Sequence, residues 1–177
     1  VARKRNVVTM IDNTWASPLL FKPLNFGVDL SIHAATKYIV GHSDVMMGVV
    51  SMRNAHWKTV KTQVHAMGYS VGPDDVYMAL RGLRTLSARM AQHEKSALKI
   101  AEWLQRRPEV ERVLHPAFPG TPGHEFFKRD FRGSSGLFSV ILKPCSPQQV
   151  AAMLDGLQLF GMGYSWGGYE SLIVPSN

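Results

Sequence analysis

Cysteine is nearly absent: Cys145 is the only one in 177 residues. No disulfide can form within the chain, and a reducing, cytoplasmic compartment is the expectation. No apolar run approaches the roughly 18–20 residues that a membrane-spanning helix needs. The opening VARKRNVVTM passes from three basic residues straight into a strand-like run, without the apolar core and small-residue cleavage site of a signal peptide. Internal repeats, low-complexity tracts and Gly/Ser linkers are missing too. Acidic residues are scarce, 13 against 20 lysines and arginines, giving a net charge of +7. The basic residues are dispersed, and their densest clusters, Arg3–Arg5 and Arg106–Arg107, are not interleaved with aromatics. That argues against a nucleic-acid surface and for a basic surface receiving a small anionic ligand. A chain that is 45% hydrophobic can build one substantial core or parts of two.

Three strand-like segments come first. The apolar run Val7, Val8, Met10, Ile11 stops at Asp12-Asn13-Thr14, which fits a buried strand of a parallel sheet. VDLSIHAATKYI is the second and Val45–Met52 the third. A loop punctuated by Pro18, Pro23 and Gly27 separates the first two. Asn54 is placed to cap a helix with Trp57, Val60, Val64 and Met67 on one face. From about Pro73 to Arg107 the pattern is helical, with Leu83, Leu86, Met90, Ala97, Ile100 and Leu104 on one face and Pro108 as the stop. Arg106 and Arg107 would sit in its last turn, at the negative end of the helix dipole. VERVLHP and GLFSVILK suggest an antiparallel sheet packed on helices. Ser146-Pro147-Gln148-Gln149 spells a capping box for a helix ending near Gly156. LFGMGYSWGGYESLIV suggests two strands around a glycine turn. The whole suggests two units, residues 1–82 and a smaller α+β unit of residues 83–177.

Asp12 and Lys37 carry the chemical interest. Both fall at the C-terminal ends of strand-like segments, where open α/β sheets gather ligand-binding groups. A lysine buried at such a position tends to lose its proton and become nucleophilic. An amine to hold an aldehyde as a Schiff base, and an acid to pair with a pyridinium nitrogen, are the pair that pyridoxal 5'-phosphate (PLP) chemistry needs. Asp12 could equally cap the DNT turn, and Lys37 could simply extend its head group into water. His33 and His42 flank the lysine but have no zinc spacing, and HEFF lacks a second histidine; both are read as structural. His65 is left without a role. Met46 and Met47 are read as core, and Cys145 is given no catalytic part.

MIDNTWASP, DLSIHAATKYIVGHSD and GYSWGGYESL, with RGLRTL and GSSGLFSV between them, resemble the Cys/Met-metabolism family of PLP enzymes. The resemblance runs from Val7 to Pro175. It implies an α/β chain of PLP-dependent transferase fold type I (aspartate aminotransferase-like), beginning inside the large cofactor domain and ending in the smaller C-terminal one. It implies that Lys37 carries the Schiff base and moves the substrate's Cα proton, that Asp12 pairs with the pyridine nitrogen, and that Thr36 contacts the phosphate. Many relatives have a serine where this chain has Ala34, so one phosphate contact must come from elsewhere. Ser165 and Trp166 would line the substrate pocket. Trp15 and Trp166 resemble the bacterial β-lyase branch, whose members split L-cystathionine by α,β-elimination into homocysteine, pyruvate and ammonia within methionine biosynthesis. The γ-lyases and γ-synthases use much the same residues, and a non-catalytic binding protein of the same fold is the alternative from another class. The resemblance also implies a homotetramer with shared active sites. It further implies an internal segment of a protein about twice as long, poorly stable and inactive by itself.

Overall fold

The computed structural model describes residues 1–176. A three-stranded sheet comes first: β1 (Met10–Asp12), β2 (Leu30–Ala34) and β3 (Gly48–Met52), in that spatial order. β1 and β2 are parallel, with Asp12 opposite Ile32, while β2 and β3 are antiparallel. Between β1 and β2 the chain forms a short helix α1 (Ser17–Leu20) and a 3-10 turn over Pro23–Phe26. Helices α2 (Asn54–Ala66) and α3 (Pro73–Gln105) follow. The remaining elements are β4 (Val110–Leu114), α4 (His124–Asp130), β5 (Ser139–Leu142), α5 (Pro147–Asp155), β6 (Phe160–Met162) and β7 (Ser171–Ile173).

The strands are shorter than the apolar pattern suggests. Val7, Val8 and Met10 are exposed, Met10 at 68%, so the first apolar run is not a buried strand. β1 sits at the sheet edge with a partner on one side only; Met10 stands in the open and Ile11 is half-buried. β2 stops at Ala34, and residues 35–40 form tight turns closed by Lys37 N–H to Ala34 O (3.0 Å), Val40 N–H to Ala35 O (2.8 Å) and Gly41 N–H to Lys37 O (2.8 Å). Asn54 is the first residue of α2 rather than its cap; Arg53 takes the cap position and makes no side-chain bond there. Met46 is exposed, and only Met47 packs on the core.

The core lies beneath the 35–45 turn segment. Ala35, Ile39, Val40, Val45 and Ala79 form one cluster, and Tyr38, Leu86 and Met90 a second joined by Leu20 and Trp166. The long helix buries Ala79, Gly82, Leu86, Met90, Ala97 and Ala101, whereas the expected Leu83 and Ile100 lie outside that stripe and are exposed. The helix is built on its small residues because a backbone, not a layer of side chains, packs against its first half. At Gly82 a Cβ would stand 2.2 Å from Ile39 O and 2.4 Å from Val40 O. Helix α3 ends at Gln105, with Arg106 as its C-cap, one turn short of Pro108.

The later part follows its pattern more closely. β4 and β5 are antiparallel. Ser146 and Gln149 make the reciprocal capping box, and Gly156 closes α5. β6 and β7 pair in parallel, Phe160 opposite Ser171, so the loop between them cannot be a hairpin turn. It swings away from its own strands and reaches the lysine turn.

Candidate active site

Asp12, Asn13 and Thr14 each make a different bond at the end of β1. Asp12 Oδ1 accepts the Thr14 N–H at 2.9 Å. The Thr14 hydroxyl, and then its backbone N–H, hold the Asp12 carboxyl below the ordinary carboxylate value, so it stays ionised. The buried Asn13 amide donates to Ser17 O (3.1 Å) and Phe21 O (3.0 Å), fixing the chain's exit from the strand. Thr14 Oγ1 accepts the Ala34 N–H at 2.8 Å, tying the end of β1 to the end of β2. Asp12 itself is exposed, so it both caps its turn and offers a charged face.

Lys37 stands three residues past β2 and is half-buried, not buried as the sequence pattern suggested. It leaves the strand because Thr36 N–H bonds Met47 O (3.2 Å), crossing to the chain that leads into β3. The Thr36 hydroxyl accepts the Met47 N–H (3.0 Å) and lies 3.4 Å from Met47 O. Lys37 Nζ donates to Ser165 Oγ at 3.0 Å, across 128 residues of sequence, and lies 5.5 Å from the Trp166 ring centroid. Trp166 stands edge-on to Tyr38 at 5.4 Å. The structure thus brings Lys37, Ser165 and Trp166 together, with Thr36 beside the lysine on the chain. Asp12 stands at the neighbouring strand end, which the Thr14–Ala34 bond ties to the end of β2.

Two glycines make this meeting possible. Gly167 has φ +79°, and a Cβ there would sit 2.9 Å from Tyr38 Cδ1 and 3.1 Å from Lys37 C. A Cβ on Gly168 would run into the Ser43 hydroxyl, which itself donates to Glu170. The GHSD and SWGGYES stretches therefore interlock. Tyr38 continues the contact inward: its hydroxyl accepts the Gly136 N–H (2.9 Å), and its ring meets His93 at 5.1 Å. Ser134, fully buried, donates through N–H and Oγ to Glu94 of α3. Trp15 donates to Leu137 O at 2.8 Å and packs edge-on against Phe127 and Phe131. Trp15 therefore has a packing role.

The histidines divide clearly. His33 is buried at 4% exposure, shares a 3.1 Å contact with Ser31 Oγ through Nε2, and has no hydrogen-bond partner at Nδ1. Burial holds it neutral against the pull of the nearby Asp12 charge. His42 is exposed and turned back on Val40 O (2.8 Å), and His65 lies exposed on α2. Among the described residues no group of three or more His, Cys, Asp and Glu could hold a metal, and no helix is long and apolar enough to cross a membrane. Glycines 167 and 168, Ser43 and Glu170 are given no role by the sequence reading, although all four lie in the stretches GYSWGGYESL and DLSIHAATKYIVGHSD. The doubled glycine after Ser165-Trp166 was the available signal.

A primary amine held by a hydroxyl, and an ionised carboxylate at a strand end with a neutral imidazole beneath it, fit an aldehyde-bearing pyridine. The comparisons agree. The model of the Cys/Met metabolism PLP-dependent enzymes matches residues 1–176. The chain belongs to that family. Cystathionine β-lyase MetC of Escherichia coli is 54% identical over 181 residues, covering 99% of this chain and 46% of that protein. A putative cystathionine β-lyase of Rhizobium johnstonii is 51% identical, covering 98% of this chain and 45% of that one. Among solved structures, cystathionine γ-synthase from Xanthomonas oryzae pv. oryzae in complex with cystathionine superimposes with a TM-score of 0.92 at 41% identity, covering 97% of this chain and 44% of that one. The chain spans about half the length of these Cys/Met-metabolism enzymes. As a member of the family it has fold type I and a PLP cofactor.

Proposed function

We propose that this chain forms the lysine half of a PLP-dependent carbon–sulfur lyase that carries out α,β-elimination on L-cystathionine, giving homocysteine, pyruvate and ammonia with uptake of water. The observation that carries the proposal is the 3.0 Å bond from Lys37 Nζ to Ser165 Oγ beside the Trp166 ring. When bound, PLP supplies an electron sink that makes the substrate's Cα–H acidic. Lys37 would hold the cofactor through its amine, and that amine, once free, would take the substrate's Cα proton and give it to the departing sulfur. Asp12, held ionised by Thr14, would pair with the pyridine nitrogen and keep it protonated. Ser165 aims the lysine amine in the resting site and turns to the substrate carboxylate. Trp166 walls the side-chain pocket and limits water. Thr36 would meet a phosphate oxygen by donating its hydroxyl, which here points to Met47 O at a long 3.4 Å.

The two relatives named β-lyases are more identical to this chain than the γ-synthase is, which favours release at Cβ over reaction at Cγ. The proposal keeps residues 1–82 in the cofactor domain and residues 83–177 in the smaller one. It also keeps a cytoplasmic homotetramer, supported by apolar side chains in the open on α2 and early α3, such as Trp57, Tyr77 and Leu80. The test is the keto acid released from L-cystathionine by the PLP-loaded protein. Pyruvate, absent with Lys37→Ala, is the expected product. 2-Oxobutyrate would transfer the protein to γ-elimination, and no keto acid would leave a PLP-binding protein without this turnover.

A further inference from the structure

Four of the five N–H donors of Arg89 meet an acceptor, and none of the acceptors is a carboxylate. Nη1 donates to Tyr38 O at 2.6 Å. Nη2 donates to Ile39 O at 3.2 Å and to Gly82 O at 2.7 Å. Nε donates to Thr85 Oγ1 at 2.9 Å. Among the described residues Arg89 makes no salt bridge. A half-buried guanidinium normally seeks a carboxylate. This one instead gathers carbonyls from two elements, the lysine turn and its own helix.

The surroundings are shaped to that arrangement. Gly41 closes the turn at φ +75°, and a Cβ there would stand 2.1 Å from Arg89 Nη1. The missing side chain is the space the guanidinium fills. Gly82, one α3 residue from the same bonds, brings the helix backbone against Ile39 and Val40. The carbonyls of Tyr38 and Ile39 directly follow Lys37, and they have no backbone partner in the turn.

We infer that Arg89 is a positioning residue for Lys37: its guanidinium fixes the Tyr38 and Ile39 carbonyls on helix α3 and so sets the direction in which the lysine amine leaves the turn. The inference rests on Lys37 being the cofactor lysine. Lysine cannot replace the arginine fully, because a single ammonium cannot span carbonyls on two elements while also reaching Thr85. Misdirecting an amine by about 1 Å is enough to lower turnover by about a hundredfold without altering how substrate is held.

The experiment uses the PLP-loaded protein and its Arg89→Met, Arg89→Lys and Thr85→Val variants. Borohydride reduction followed by peptide mapping gives the fraction of chains with cofactor fixed on Lys37. Steady-state kinetics give kcat per fixed cofactor and KM separately. Arg89→Met is expected to lose at least about tenfold in kcat per fixed cofactor, with KM within about twofold. Millimolar guanidinium ion should restore part of that loss, and Arg89→Lys should fall between. Thr85→Val, an exposed change that removes the Nε acceptor and the hydroxyl's own 3.1 Å bond to Gly82 O, is expected to lose about two- to threefold. If Arg89→Met does not fold, Arg89→Lys and Thr85→Val decide by the same criterion. Variants with wild-type kcat per fixed cofactor, differing only in stability, would overturn the inference while leaving the cofactor lysine intact. A wild-type protein with no reducible cofactor on Lys37 would overturn the lysine assignment and this inference together.

Discussion

Two regions of this chain carry apolar residues at similar density and meet opposite fates. Residues 35–45 pack Ala35, Tyr38, Ile39, Val40 and Val45 into the core, whereas helix α2 buries none of its residues and leaves Trp57 at 54% exposure. The difference lies in the partners. The turn faces Gly82 and Arg89, which let a helix backbone approach and satisfy its carbonyls. Helix α2 presents Trp57 and Val64, with Met67 as its C-cap, at a proper helical spacing, but no element of the described residues covers them. An amphipathic pattern states which face wants burial and not what buries it.

The sharpest way to break this contrast is Gly82→Ala. Alanine gains about 1 kcal/mol of helix propensity over glycine, but its Cβ would meet two backbone carbonyls that cannot rotate away. A net loss of about 3 kcal/mol is expected in denaturant unfolding. Trp57→Ala on α2 should change stability by less than about 0.5 kcal/mol. Comparable losses at the two positions would erase the distinction between the regions.

Tyr38→Phe should cost about 1.5 kcal/mol, since it leaves the Gly136 N–H without its acceptor inside the turn's core. Ser146→Ala removes one arm of the capping box of α5, far from the lysine, and should cost about 1 kcal/mol with turnover per bound cofactor unchanged.

The pH dependence sharpens the same comparison. Burial lowers the proton affinity of His33 and His115, and of His93, where the Arg89 charge adds to it. In each case the unfolded chain binds the proton more readily. Their contribution is complete above the ordinary histidine pKa of about 6.5 and is lost as pH falls from there through the depressed folded values. Stability should therefore decline below about pH 6.5, and His93→Gln should blunt the decline. An unchanged slope in the variant would remove His93 from the account.

Much of this was legible in the sequence. The capping box, the antiparallel β4–β5 pair and the existence of the long helix follow from local chemistry. Lys37, Ser165 and Trp166 could be assembled because short motifs carry them. The strand ends were not legible: β2 stops at Ala34 because Thr36 bonds Met47, a tertiary contact with no periodic signature. The burying stripe of α3 was misplaced for a related reason. Hydrophobicity points to Leu83, while packing against a backbone selects Ala79 and Gly82. The parallel pairing of β6 and β7 also escaped, since a glycine-rich connection usually indicates a hairpin.

The measurement that bears most directly on the central claim is the site of cofactor attachment. The PLP-loaded protein would be reduced with borohydride, digested and sequenced by mass spectrometry. The expected result is a phosphopyridoxyl group on Lys37 and on no other lysine, with no labelled peptide from Lys37→Ala. Label on a different lysine, or a cofactor that washes out unreduced, would contradict it.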